Sequence, residues 1–324
     1  MIQATGLLLI GFMLLLKGGD WLVGGSCSMA QRAGISQLIV GLTLVAFGTS
    51  LPEFLINIAS RIQGETDVTI GDVLGSNIAN ILLVLGLAAV VRPISFKRST
   101  MMLEIPFALA VAVVLALLLN GQDSGAGSFH GLTRVDGLIL LTLFTMFIFY
   151  AFRLFKTGSV DEMESVAHLH SPGRSSLMVL AGIPSLAFGA KWVVEGASAI
   201  ASNLGISEAV IGLTIVAVGT SLPELATSLV ASIKGRSDIA VGNIVGSNIF
   251  NISWILGVSS FVSPLAIPRH YFFDVGVIIF VTILLLFSVI IGKRGVIGRW
   301  NGGLFLLLYV TYVVSLIFRS SGTF

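Results

Sequence analysis

Apolar residues along this chain run in long blocks separated by short polar breaks. A helix needs roughly 20 mainly apolar residues to cross ~30 Å of hydrocarbon. The pattern therefore predicts about ten membrane-spanning helices, near residues 5–29, 38–61, 68–91, 101–120, 135–155, 176–200, 209–233, 239–262, 274–292 and 300–318. The longest polar stretch, Lys156 to Ser176, holds Asp161, Glu162, Glu164, His168 and His170. It reads as a solvated linker too short for a folded domain, and divides the chain into a first five-helix unit at 1–155, the linker at 156–175 and a second unit at 176–324.

Composition sharpens the class. Of the 324 residues, 55% are hydrophobic and only 10% charged, against about 25% charged in a soluble domain. So few charges cannot coat a globule against water. A soluble enzyme, a nucleic-acid binder and a disordered scaffold are all excluded. The net charge of +2 is too small to call for an anionic polymer. The single cysteine, Cys27, forbids an intrachain disulfide and a thiolate metal cluster. The 37 glycines suit close helix packing or broken helices within a bilayer. The first apolar run lacks a basic leader and a small-residue cleavage site, so it is expected to be a retained span.

Lys and Arg gather on the cytoplasmic side of a membrane. One alternate set of loops holds about twelve of them, including Arg92, Lys97, Arg98, Arg153, Lys156 and Arg174; the other holds about four, Arg61, Arg134, Arg269 and Arg319. Both termini are expected outside and the linker inside, in a multi-pass plasma-membrane protein.

Residues 41–94 align without a gap to 212–265, a shift of 171, with 25 of 54 pairs identical. The match continues upstream through Gly34-Ile35-Ser36 and Gly205-Ile206-Ser207. An odd number of spans per unit makes the second copy enter the membrane upside down, the inverted repeat of many secondary transporters. Loop charge agrees: Arg61-Ile62-Gln63-Gly64-Glu65 becomes the more basic Ser232-Ile233-Lys234-Gly235-Arg236.

The best-matched segments carry the chemistry. Gly48-Thr49-Ser50-Leu51-Pro52-Glu53 returns as Gly219-Thr220-Ser221-Leu222-Pro223-Glu224, each inside an apolar span. Proline has no N–H to donate, so the helix is expected to bend or break there and free carbonyls around Ala46–Gly48 and Ala217–Gly219. Freed carbonyls are tolerable only where they line a hydrated cavity or bind a cation. Carboxylates far from the ends of a span usually mark an ion path, and Glu53 and Glu224 are such groups. Thr49 and Thr220 precede them by four residues and share their helix faces. The next span carries Ser76 and Asn80 in Gly75-Ser76-Asn77-Ile78-Ala79-Asn80, repeated as Ser247 and Asn251 in Gly246-Ser247-Asn248-Ile249-Phe250-Asn251. Together the halves offer two carboxylates, hydroxyls, amide oxygens and freed carbonyls, a donor set for hard cations such as Ca²⁺. No histidine or cysteine joins them, which argues against zinc or copper.

These paired motifs resemble the α-repeats of the cation/Ca²⁺ exchanger superfamily, most closely its prokaryotic sodium/calcium exchanger branch, over nearly the whole chain. The resemblance implies an all-α polytopic fold of ten spans in two inverted repeats, with broken helices carrying the ion site. It implies a secondary active antiporter that exchanges Ca²⁺ for Na⁺ by alternating access. It places cation ligands on Ala46, Thr49, Ser50, Glu53, Ser76 and Asn80, and on Ala217, Thr220, Ser221, Glu224, Ser247 and Asn251. Some members of the family carry an aspartate where this chain has Asn251, and its absence points away from K⁺ co-transport.

Of the alternatives, a Ca²⁺/H⁺ exchanger shares the two glutamates. A cation channel fits less well, because filters are normally rings built by oligomer symmetry. An intramembrane enzyme finds no nucleophile–base pair. The expected partners are the two ions and the bilayer, with no cofactor and a monomer as the working unit. Other polar groups have simpler readings: Asn77 and Asn248 as polar glue between helices, Lys17 with Asp20 and Lys191 with Glu195 as local ion pairs, Asp67 and Asp238 as helix caps. Asp72, whose counterpart is Asn243, reads as a first-turn dipole residue. Asp161, Glu162 and Glu164 read as a solvated charge run. His130, His168, His170 and His270 fall in loops.

Overall fold

In a computed structural model of the chain, residues 2–63, 66–120, 130–157, 169–204, 215, 217–291 and 295–320 are described. The acidic run and His168 lie outside them, as does most of the chain between 205 and 216. The fold is almost wholly helical. We number its helices α1 (Ile2–Ala33), α2 (Gln37–Gln63), α3 (Thr66–Val91), α4 (Thr100–Asn120), α5 (Arg134–Thr157), α6 (Pro172–Asn203), α7 (Leu222–Ile233), α8 (Ser237–Val262), α9 (Tyr271–Ile291) and α10 (Arg299–Ser320). Among the described residues nine helices are long and apolar enough to cross a membrane. The tenth expected span appears as α7, a shorter apolar helix whose upstream continuation is not described.

Local chemistry sets several boundaries. The Ser36 side chain accepts from the Ile39 N–H at the start of α2, and Ser171 caps α6 ahead of Pro172 by accepting from Arg174 N–H. Both hydroxyls satisfy donors that a helix start leaves unpaired. Two short antiparallel ribbons close the bundle: β1 (Ile94–Ser95) pairs with β4 (Val296–Ile297), and β2 (Gly131–Leu132) with β3 (Leu265–Ala266). Each ribbon takes one strand from each half, so the repeat carries one ribbon onto the other.

The expected helix breaks differ between the halves. In the second, a turn at Thr220–Ser221 separates a single helical turn, Ala217–Gly219, from α7. In the first, α2 is unbroken: it passes through a π-helical turn at Gly41–Val45 and carries Pro52 inside the helix. Overwinding to i→i+5 bonding spares the backbone a rupture while still displacing carbonyls, a device frequent at functional sites. Further π turns run over Asn80–Leu85 in α3 and Phe250–Leu256 in α8, at the ends of the two matching Gly-Ser-Asn motifs.

Helices α1 and α6 form an antiparallel pair packed backbone to backbone. A Cβ on Gly18 would stand 3.0 Å from the Gly182 carbonyl oxygen, one on Gly11 2.9 Å from that of Gly189, one on Gly25 2.7 Å from that of Ser175, and one on Gly196 2.7 Å from that of Ala4. The contacts recur every seven residues on both helices and obey the same shift of 171. Each glycine meets the repeat equivalent of another rung. The pair joins the bundle through α7, where Gly19 packs on the Ala226 backbone at 3.2 Å. Asp20 of α1 pairs with Lys234 at the end of α7 at 2.6 Å, in place of the local partner Lys17 that its spacing suggests. Lys191 and Glu195 do pair along α6, at 3.8 Å. The remaining core lies among α3, α4, α5, α8, α9 and α10, where Leu85, Leu115, Ile255, Leu285 and Phe305 are buried.

Candidate functional site

Helices α2, α3, α7 and α8, which carry the four repeated motifs, bring most of the sequence-selected residues to one place inside the bundle. Ser50 of α2 donates to Glu224 Oε1 of α7 at 3.0 Å, and Ser247 of α8 reaches the same oxygen at 3.5 Å. Thr49 stands beside the Glu224 carboxyl as well. Ser76 and Thr220 meet hydroxyl to hydroxyl at 3.4 Å across the two halves. Glu53 faces Glu224 directly and has Ser76 beside it, yet neither of its oxygens meets a donor in hydrogen-bond geometry. The two acids therefore converge, one from each half.

Burial makes this arrangement costly. Glu53 is 1% exposed and Glu224 0%. An ionised carboxylate removed from water without a compensating partner is strongly unfavourable. Other buried acids in the bundle are better provided: Glu104 Oε1 accepts from Tyr150 at 2.5 Å, and Asp274 takes both Tyr312 at 3.1 Å and Arg319 at 3.2 Å. Around Glu53 the orphaned atoms accumulate. Glu224 Oε2, Ser221 Oγ, Asn80 Oδ1 and both amide atoms of Asn251 are buried without a partner. Asn80 and Asn251 lie one turn beyond Ser76 and Ser247 on the same faces. Buried polar atoms are normally satisfied, so a concentration of unsatisfied oxygens is a set of acceptors that lacks only a positive charge.

Backbone and amides complete the frame. The Ala46 carbonyl accepts from Thr49 at 3.2 Å, and the backbone of Ala217 opens the single turn before the break at Thr220–Ser221. Asn248 and Asn77 act as the expected glue: Asn80 Nδ2 donates to Asn248 Oδ1 at 3.0 Å, and Asn248 Nδ2 to the Asn77 carbonyl at 3.3 Å. Among the described residues no three acidic, imidazole or thiol groups close into a metal cage. Neutral hydroxyl, amide and carbonyl oxygens must therefore complete any shell that the two glutamates begin.

Three polar residues here exceed their sequence reading. Asn57 of α2 donates to Asp72 Oδ2 of α3 at 2.7 Å, and Asp72 lies within electrostatic range of both Glu53 and Glu224. Asp72 thus faces the site instead of serving only the helix dipole. Its counterpart Asn243 accepts from Thr49 at 2.9 Å and donates to Ser228 at 3.0 Å. The signal lay in the alignment, where Asp72 and Asn243 stand four residues before the motif serines. Asp238 is not a cap either; it sits in the first turn of α8 and pairs with Lys97 at 2.8 Å. The Asp67 side chain lies outside the described residues.

Comparison with known proteins adds the following. The profile of the family described as sodium/calcium exchanger protein matches residues 3–153 and 174–318. The chain is 33% identical to the sodium/calcium exchanger MaX1 of Methanosarcina acetivorans, over 96% of this chain and 98% of that one. It is 37% identical to the inner membrane protein YrbG of Escherichia coli strain K12, over 97% and 98%. Its fold matches a solved structure of the sodium-calcium exchanger NCX_Mj soaked with Na⁺ and Ca²⁺, with a TM-score of 0.81, 35% identity and coverage of 98% of this chain and 99% of that chain.

Proposed function

The chain belongs to the sodium/calcium exchanger protein family, and we propose that it is a secondary active antiporter moving Ca²⁺ against Na⁺ through the Glu53–Glu224 site. The observation that carries this reading is the pair itself: two buried carboxylates, one from each half, face each other among oxygens that have no donor. A cation satisfies all of them at once. Ca²⁺ takes 6–8 oxygen ligands in an adaptable shell, and the proposed set supplies them: Glu53, Glu224, Thr49, Thr220, Ser50, Ser221, Ser76, Ser247, Asn80 and Asn251, with the carbonyls of Ala46 and Ala217. The transported ions are substrates, and the working unit is a monomer in the plasma membrane.

Charge supplies the coupling. An empty buried dicarboxylate is costly to carry through hydrocarbon, whereas the same pair neutralised by cations is much less so. Exchange without leak follows if only loaded forms switch between facings. The switch is assigned to α1 and α6, which carry none of the proposed ligands and pack on each other as one unit. The halves 1–155 and 176–324 are taken as inverted repeats joined by the 156–175 linker, with that linker cytoplasmic and both termini outside, so that one motion closes one side as it opens the other.

Reconstituted vesicles test the reading. An outward Na⁺ gradient, with the pH gradient collapsed, is expected to drive Ca²⁺ uptake. Uptake that instead follows only a proton gradient would make the protein a Ca²⁺/H⁺ exchanger. Binding also shows in stability: Ca²⁺ at 100 times its Kd stabilises the native state by about 2.7 kcal/mol, seen as a rise in Tm of the purified protein. Mg²⁺ demands rigid octahedral ligation and sheds water reluctantly, so the same concentration of Mg²⁺ is expected to leave Tm nearly unchanged.

A further inference from the structure

The two flanks of the site are built from equivalent residues but finished differently. On one, Asn243 of α8 spends its atoms on neighbours: Oδ1 accepts from Thr49 at 2.9 Å, and Nδ2 donates to Ser228 Oγ at 3.0 Å and to the Glu224 carbonyl at 3.4 Å. On the other flank the equivalents are Asp72, Thr220 and Asn57. Asn57 donates to Asp72 Oδ2 at 2.7 Å and to the Glu53 carbonyl at 2.8 Å. That leaves Asp72 Oδ1 buried with no donor, next to the Thr220 hydroxyl and in electrostatic range of Glu53, whose own oxygens are undonated. The amide flank is closed by hydrogen bonds; the carboxylate flank is left one positive charge short.

We propose that Asp72 is a third anionic ligand of the transport site, holding one Na⁺ between itself, Thr220 and Glu53, at a position the second repeat does not duplicate. The inference rests on the exchange reading above and deepens it. Asp72, Glu53 and Glu224 do not gather around one point as a three-acid cage. Asp72 therefore serves a neighbouring ion and leaves the Ca²⁺ position to the two glutamates. The charge count follows. Three carboxylates carry −3, which three Na⁺ neutralise; with asparagine at position 72 the site carries −2, and two Na⁺ suffice. Because an uncompensated buried charge is the main cost of moving the loaded site, Asp72 fixes how many Na⁺ accompany each turnover.

The experiment compares wild type with Asp72→Asn, an isosteric change, by counting radioactive Na⁺ and Ca²⁺ exchanged in the same vesicles. The Na⁺ to Ca²⁺ ratio and the Hill coefficient for Na⁺ are each expected to fall by about one. An unchanged ratio in a variant that still exchanges overturns the proposal. If the variant no longer exchanges, equilibrium binding of radioactive Na⁺ to the purified proteins decides: one Na⁺ fewer per molecule upholds the assignment, and an equal number refutes it. The same binding count separates this inference from the broader one. A wild type that binds Na⁺ but drives no Ca²⁺ uptake with it fails as an exchanger while Asp72 is still judged by the count; a wild type that binds no Na⁺ overturns the assignment outright.

Discussion

Glu53→Gln and Glu224→Gln are each expected to abolish Ca²⁺ exchange while leaving a folded protein in the membrane. Loss of a residue that only supports a metal ligand costs about 10–100-fold in affinity, so loss of one of two charged ligands should lower transport by more than about 100-fold. The variants differ locally. Glu53 has no hydrogen-bond donor to either oxygen, so glutamine there removes charge and breaks no bond. Glu224 accepts from Ser50 at 3.0 Å, and a glutamine carbonyl can still take that bond. Neutralising either acid also relieves two like charges buried together. Without ions, each variant should therefore unfold at a temperature no lower than the wild type, and its Tm should no longer rise with Ca²⁺. Near-normal transport in both variants, or a marked fall in ion-free Tm, would assign these acids to structure and not to the ion.

Gly18→Leu and Gly182→Leu should be the most damaging changes away from the site. A Cβ at either position meets the partner helix's backbone at 3.0 Å, where no side chain can swing aside. Helix pairing inside lipid has little hydrophobic drive and depends on close backbone approach at small residues. Overpacking of this kind costs about 1–3 kcal/mol, sometimes more, and here it also wedges apart the pair assigned to move. Transport should be lost and thermal unfolding lowered. Gly24→Leu and Gly6→Leu are the controls: a Cβ at Gly24 touches only the terminal methyl of Met178, and one at Gly6 touches nothing within 4 Å. Equal damage from all four would show that helix propensity, not the α1–α6 contact, decides.

The span pattern was readable in the sequence because the bilayer imposes it. A run of about twenty apolar residues has few other fates, and helices α3, α4, α5, α8, α9 and α10 begin and end close to where hydropathy puts them. The buried acids were readable for a related reason: a carboxylate is so costly in hydrocarbon that Glu53 and Glu224 stand out by position alone. The α1–α6 contact left a weaker trace, glycines seven apart at the shift of 171 already found downstream. Its outer rungs, Ala4 and Ser175, are not glycines, and nothing in the order of residues says that two such rows meet.

Partner identity is where sequence reading ended. Asp20 pairs with Lys234 of α7, not with Lys17 three residues before it, because the fold brings a distant cation closer than the local one. Pro52 and Pro223 sit in identical hexapeptides, yet one helix runs on and the other is interrupted, since a π turn in α2 absorbs the distortion. Asp72 and Asn243 look interchangeable on the alignment; across space one keeps an undonated oxygen and the other is fully bonded. Residue type and spacing alone determined the spans, the duplication and the two central acids, because those follow from the price of polarity in lipid. Which oxygens stay free to receive a cation was decided only in the tertiary structure, because a hydrogen-bond donor counts by its distance through space and not along the chain.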